Sequence, residues 1–173
     1  VIVTSVGLAT MTFGAFVALF RHDLKSILAY STISQLGLLV MLLGFSIKMA
    51  AVAAVLHILN HAAFKAALFM TAGIVDHESG TRNIRRLGGL AKVMPITAIV
   101  ATTAAAAMAG LPPLGGFISK EMMLHETLEI SLFGLSWLVP GMATIAATLS
   151  VGYSLRLSWH LFFGSPREPQ PYA

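Results

Sequence analysis

AVAAVLHILNHAAFKAALFMTAGIV, Ala51 to Val75, is apolar over the length needed to cross a bilayer as one helix, and it carries His57, His61 and Lys65 at successive i, i+4 positions. Each such step turns about the helix axis by only about 40°, so the three side chains share one side. A lysine in the middle of a span of Ala, Val, Leu and Phe costs roughly 2.5 to 3.5 kcal/mol in lipid, so Lys65 is expected to face protein or water. Two imidazoles and an ammonium in a row read as a proton path.

The composition agrees with that setting. Of 173 residues, 57% are hydrophobic and only 10% charged, with a mean hydropathy of +0.83. Soluble domains carry about 25% charged residues, so the chain reads as an integral membrane protein. It has no cysteine, which excludes disulfides, thiolate metal sites and Cys-ligated iron-sulfur clusters. Neither a cofactor nor a metal is expected. The net charge of +4 does not point to nucleic acid, because the basic residues sit in short loops between apolar spans and read as topology signals. The chain opens on Val1, already within an apolar stretch, and is expected to be part of a longer polytopic subunit.

Five crossings account for the hydropathy, giving an all-α transmembrane bundle. The first runs from about Val1 to Phe20 and the second from about Leu24 to Ile47, with Asp23 placed to cap it. The third is Ala51 to Val75. DHESGTRNIRRLGG, Asp76 to Gly89, reads as a polar exposed hinge. The fourth apolar region, about Met94 to Ile130, is too long for one crossing and contains GLPPLGG at Gly110 to Gly116. Paired prolines and three glycines cannot continue a helix, so this region reads as one discontinuous crossing. The fifth runs from about Leu135 to Phe163, and residues 164–173 form a tail or linker outside the membrane.

Five crossings put Arg21, Arg82, Arg85, Arg86, Lys92 and Arg167 on one side, against Lys48 on the other. Positive-inside makes the basic side cytoplasmic.

Four motifs, RHDLKSILAYSTISQLGLL, HILNHAAFKAALFMTAGIVDH, RRLGGL and AGLPPLGGFISKEMML, stand in this order across nearly the whole chain. On them the chain resembles the proton-translocating antiporter family, which includes the large subunits of Mrp-type sodium/proton antiporters and the antiporter-like subunits of respiratory complex I. Within that family, GIVDHESGTRNIRRLGGL most resembles the A-type subunits of Mrp. The resemblance implies a fold of inverted five-helix repeats, of which this chain is similar to the second, and a buried axis of lysines and histidines that relays protons. Carried over by motif, the relay positions are Lys25 in DLKSILAYST, His57, His61 and Lys65 in HILNHAAFK, and Lys120 in FISKE. It also implies a non-enzymatic component of a transporter in a bacterial plasma membrane, with protons, sodium ions, the lipid bilayer and further membrane subunits as partners. The alternative is a proton-pumping component of a complex I type NADH-quinone oxidoreductase.

Each position has a plainer reading. Lys65 can be structural, paired with a helix carbonyl or with a carboxylate of another subunit. His57 and His61 can be core histidines bonded to Asn60 or to hydroxyls of the second span. HILNH has the i, i+4 spacing of a zinc pair, but lacks a Glu after the first His, a Cys and an obvious third ligand. Lys25, at the membrane entrance, can snorkel; the helix after it carries Tyr30, Ser31, Thr32, Ser34 and Gln35, polar enough to hold water beside a proton carrier. Lys120 and Glu121, just past the break, read as an exit gate. His125 and Glu129 read as surface residues, Arg85 and Arg86 as contacts to lipid phosphates, and Trp137, Tyr153 and Trp159 as interfacial anchors.

Overall fold

A computed structural model describes residues 1–165; the PREPQPYA segment, with Arg167 and nearly all of the expected tail, lies outside them. The described chain is helical: α1 (Ile2–Phe20), α2 (Leu24–Leu43), α3 (Lys48–Ser79), α4 (Pro95–Ala109), α5 (Gly115–Leu128) and α6 (Leu138–Ser158), which runs on into a wide π turn, Trp159–Phe163. Four stretches, Ile2–Phe20, Leu24–Leu43, Lys48–Ser79 and Leu138–Phe163, are long and apolar enough to cross a membrane. At 1.5 Å per residue, α4 and α5 are each only about 22 Å long and together make one broken crossing, the fourth in chain order.

The bundle has the polarity of a membrane protein. Phe13, Phe16, Val55, Leu59, Ile96 and Ile99 face outward, whereas His57, Lys65, Ser119, Lys120 and Ser150 are buried. Small residues let the helices close up. Gly14 of α1 sits so near α2 that a Cβ there would lie 2.6 Å from the Ser34 amide nitrogen.

Asp23 caps α2, accepting the Ser26 N–H at 2.8 Å. The second helix stops at Leu43 rather than Ile47, where Gly44 closes it. The third is longer than expected and continues through Asp76, His77 and Glu78 to Ser79, ending on Gly80 in the left-handed conformation. The expected exposed hinge is therefore a folded corner. Ile84, Leu87 and Leu90 are buried, Leu24 N–H donates to the Arg82 carbonyl and Ile84 N–H to the His22 carbonyl, each at 2.9 Å. These bonds satisfy backbone groups that a buried loop would otherwise strand.

The break lies where the Pro-Gly motif puts it. Gly110 ends α4 at φ 86°, open to glycine without strain, and Leu114 precedes α5 with extended backbone. Gly116 leaves no room for a side chain against the Ala107 carbonyl, so the two half-helices touch.

Candidate functional site

The side of α3 that carries His57 and Lys65 packs against α2, and α2 supplies their partners because its own polar residues recur at helical spacing. Lys65 donates to the Leu28 carbonyl at 3.1 Å and to the Ser31 hydroxyl, and Ser31 donates to Leu28 as well. One turn along α3, the His61 ring packs edge-on to Phe64, and its Nε2 is enclosed without a hydrogen-bond partner. One turn further, His57 is wholly buried and stacks on His61 with centroids 6.1 Å apart.

His57 is held from both sides. Its Nε2 lies 2.8 Å from Gln35 Oε1 on α2, and its Nδ1 lies 3.1 Å from Ser119 Oγ on α5. A carboxamide oxygen only accepts, so Nε2 carries a proton. The Ser119 hydroxyl also reaches the Gly116 carbonyl at 3.3 Å. When the imidazole is neutral, Ser119 donates to Nδ1; when it is cationic, Nδ1–H donates to Ser119, which turns its own proton to Gly116. Both charge states are satisfied with only one hydroxyl hydrogen moved.

The helix break positions the second lysine. Four carbonyls at the end of a helix have no intrahelical donor, and Lys120 Nζ takes two of them, Met108 at 2.6 Å and Ala109 at 3.1 Å, together with Ser150 Oγ on α6 at 3.0 Å. Tyr153 accepts from Gln35 Nε2 at 3.4 Å, and Ser150 lies one turn before it on α6. Hydrogen bonds thus join Ser119, His57, Gln35 and Tyr153 in a chain, and one turn along α6 Ser150 joins Lys120. Beside it a cavity lined by Ser34, Gln35, Lys120 and Ser150 has about 10 Å³ for the centre of a water, the space of about one molecule.

The partners of His57, Lys65 and Lys120 are carbonyls, hydroxyls and a carboxamide, all neutral. Charges placed on neighbouring members therefore repel. Two unit charges 6.1 Å apart, as on His57 and His61, oppose each other by about 3 kcal/mol at an effective dielectric of about 20. A charge on one member would therefore raise the cost of a charge on the next.

At the basic end, Lys25 Nζ bonds Asp76 Oδ2 at 2.8 Å, and Arg82 Nε lies 3.6 Å from Asp76 and 3.8 Å from Asp23. Lys25 is not in touch with Lys65: it lies six residues back along α2 from Ser31, about 9 Å, and the buried Leu24, Leu28, Leu68 and Ala72 pack there. Arg85 donates to His22 Nε2, which ties the α3–α4 corner to the α1–α2 corner. Burial, then the Arg85 and Arg156 guanidiniums, hold the His22 imidazole below its ordinary range.

Several sequence expectations need correction. Asn60 donates to the Gly115 carbonyl at 3.1 Å and braces the helix break, leaving the histidines to Gln35 and Ser119. Ser34 donates to the Met11 carbonyl at 2.8 Å; it lines the water-sized cavity without joining the chain. Lys120 is 7% exposed and turned to the α4 carbonyls, whereas Glu121 beside it is exposed, because adjacent helical residues point about 100° apart. The two line the same open groove of about 540 Å³ between α5 and α6. Arg85 meets His22 rather than only lipid, and Asp76 pairs Lys25 although it reads as a hinge residue. Tyr153 is no interfacial anchor: it is 1% exposed at the centre of the chain, while Trp137 and Trp159 are exposed. The sequence reading places Gln35 only among the water-holding polar residues of α2 and does not single out Ser119 or Ser150. A signal exists for Ser150 and Tyr153, since Ser150, Tyr153, Ser154 and Leu157 form one buried i, i+3, i+4, i+7 stripe.

Residues 1–147 match a family described as NADH:quinone oxidoreductase/Mrp antiporter, TM. The chain is 57% identical, over 98% of its length, to a probable K(+)/H(+) antiporter component of type A/B from Rhizobium meliloti (strain 1021), and 45% identical over 98% to the A-type component of a Na(+)/H(+) antiporter from Bacillus subtilis (strain 168). It spans only 17% and 23% of those two relatives. Its fold superimposes with a TM-score of 0.85 on a chain of the Mrp complex from Dietzia sp. DQ12-45-1b, at 44% identity over 95% of this chain and 18% of that one. The same TM-score relates it to a chain of an archaeal membrane-bound sulfane sulfur reductase, at 28% identity over 98% of this chain and 34% of that one.

Proposed function

Because the chain belongs to the NADH:quinone oxidoreductase/Mrp antiporter family of transmembrane proteins, we propose that it is the proton-conducting part of a multisubunit cation/proton antiporter, relaying protons through buried lysines and histidines. The observation that carries this reading is the run of hydrogen bonds joining Ser119, His57, Gln35 and Tyr153, with the Ser150–Lys120 bond one turn along α6 and with His61 and Lys65 on the same side of α3 as His57. Imidazole, hydroxyl and amine are the groups that accept and release protons within hydrogen-bond reach.

In this reading Lys65 stores a proton, His61 and His57 pass it, and Lys120 receives it at the break, where an unwound backbone meets the groove that Glu121 lines. Lys25 and Asp76 stand at the entrance. The chain acts as the second inverted repeat of a longer subunit, residues 1–163 being its membrane domain and 164–173 a cytoplasmic tail or linker. Further membrane subunits complete the complex in a bacterial plasma membrane, with the basic end in the cytoplasm. The exchanged ion is an alkali cation: the Rhizobium relative is named for potassium and the Bacillus relative for sodium.

The second reading, a membrane component of a redox-driven pump, is favoured by the likeness to a chain of a respiratory complex. Everted vesicles holding the full complex separate the two. For the antiporter, adding sodium or potassium collapses an imposed proton gradient with no electron donor present. A complex that ignores both cations and moves protons only when given a reductant and acceptor is the redox pump.

A further inference from the structure

Gln35 is the one member of the hydrogen-bonded chain that cannot hand on a proton. An imidazole takes a proton on one nitrogen and releases another from the second, and a hydroxyl does both at one oxygen. A carboxamide accepts at Oε1 and donates from Nε2; a proton added at the first and lost from the second would leave the unstable imidic-acid tautomer. Gln35 is 3% exposed and occupies the link between His57, whose Nε2–H it accepts at 2.8 Å, and Tyr153, to which it donates at 3.4 Å. The run from Ser119 to Tyr153 is therefore joined by hydrogen bonds throughout and interrupted for protons at one residue.

The surroundings supply the other half of the argument. The cavity with room for about one water lies against Gln35 itself, with Ser34, Ser150 and Lys120 as its polar lining and Met11, Leu38 and Met123 among its apolar lining. A swing of the carboxamide into that space would free the position between His57 Nε2 and the Tyr153 hydroxyl for a water, and a water passes protons. The 3.4 Å bond to Tyr153 is the longest in the link and the one most easily given up.

We propose that Gln35 is a proton block: its carboxamide separates an α3 arm, Lys65, His61 and His57, from a Lys120 arm, Tyr153, Ser150 and Lys120, and protons cross only when the side chain leaves the bridge. An exchanger needs such a block, because an unbroken wire would dissipate the proton gradient without moving a cation. The inference rests on the relay reading above.

The test uses everted vesicles holding the full complex, with assembly checked on a native gel and the decay of a dye-reported pH gradient followed in choline buffer free of sodium and potassium. Gln35→Glu is isosteric and can carry a proton on either oxygen; Gln35→Ser makes room for water; Gln35→Met fills the space and carries nothing. The Glu and Ser variants are expected to speed the decay about tenfold over wild type, the Met variant to match wild type, and Lys65→Ala added to Gln35→Glu to abolish the leak. Either protonatable variant decides alone if the other fails to assemble. An assembled Glu or Ser variant as tight as wild type overturns the block, as does a Met variant that leaks equally or a leak that survives Lys65→Ala. Cation exchange measured in the same vesicles keeps the two ideas apart, since normal exchange in Lys65→Ala alone would sink the relay itself.

Discussion

Ser119 Oγ lies 3.1 Å from His57 Nδ1 and 3.3 Å from the Gly116 carbonyl, so one hydroxyl serves both charge states of the imidazole. Ser119→Ala removes that partner and leaves a buried ring nitrogen unsatisfied when the ring is charged, at a cost of about 1–3 kcal/mol. Exchange is expected to slow by about tenfold to hundredfold in an assembled complex, with Ser119→Thr recovering much of it. An Ala variant exchanging at the wild-type rate would remove Ser119 from the path.

Under the proposed relay Lys120 has two roles, and a substitution reads both. Its ammonium satisfies the Met108 and Ala109 carbonyls at the end of α4. Lys120→Met strands them, so thermal unfolding of the complex is expected at lower temperature, by the equivalent of about 2–4 kcal/mol for two lost acceptors. Exchange should be lost as well, even in the fraction that remains assembled. Exchange persisting in that fraction would make Lys120 a brace for the break and nothing more.

The entrance pair behaves differently because it is wet. Lys25 and Asp76 keep 44% and 29% of their side-chain surface, and solvent and salt screen an exposed ion pair so that it adds little to stability. Asp76→Asn is expected to leave unfolding almost unchanged while slowing exchange and moving its pH profile. A large fall in stability with an unaltered pH profile would assign the pair to structure.

The basic end carries a pH dependence whose sign follows from His22. Its folded pKa lies below the unfolded value, through burial and the Arg85 guanidinium, so the unfolded chain binds more protons. The stability held by the neutral His22–Arg85 contact is therefore present above about pH 6.5 and lost as pH falls below it. Between pH 7.5 and 5.5 the wild-type complex should lose more thermal stability than His22→Gln, which keeps an acceptor for Arg85 and does not titrate. Equal losses would contradict this.

Gly14 tests the close approach of α1 and α2. A Cβ there would meet Ser34 N at 2.6 Å and the Tyr30 carbonyl at 2.9 Å, both backbone atoms that cannot step aside. Gly14→Ala is expected to destabilise by about 1–3 kcal/mol and to displace the polar face of α2, seen as lower yield of assembled complex. A variant assembling as well as wild type would show the two helices to be looser than described.

How far the sequence could be read divides along a physical line. Long-range order written as hydropathy was legible: the crossings, the Asp23 cap, the broken fourth crossing, and the His57, His61, Lys65 stack all follow from period and composition. What sequence could not supply was partnership between helices. Gln35 and Ser119 are ordinary polar residues until α2 and α5 close on His57. Asn60 shares the HILNH motif yet lies one residue before His61, about 100° round the helix, and so braces Gly115. Tyr153, an aromatic towards the end of an apolar span, reads as an interfacial anchor, and only its place on the buried Ser150 stripe argues otherwise. Asp76 reads as a hinge residue because charges after an apolar run usually mark a loop, whereas α3 outlasts the apolar run by a full turn.

The most direct test of the central claim is alkali-cation exchange in everted vesicles, wild type against Lys65→Ala, with assembly verified on a native gel. Exchange lost from an intact complex is the expected result and places Lys65 on the proton path; exchange unchanged in that complex would contradict the relay and leave the His57, His61, Lys65 stack a structural feature of α3.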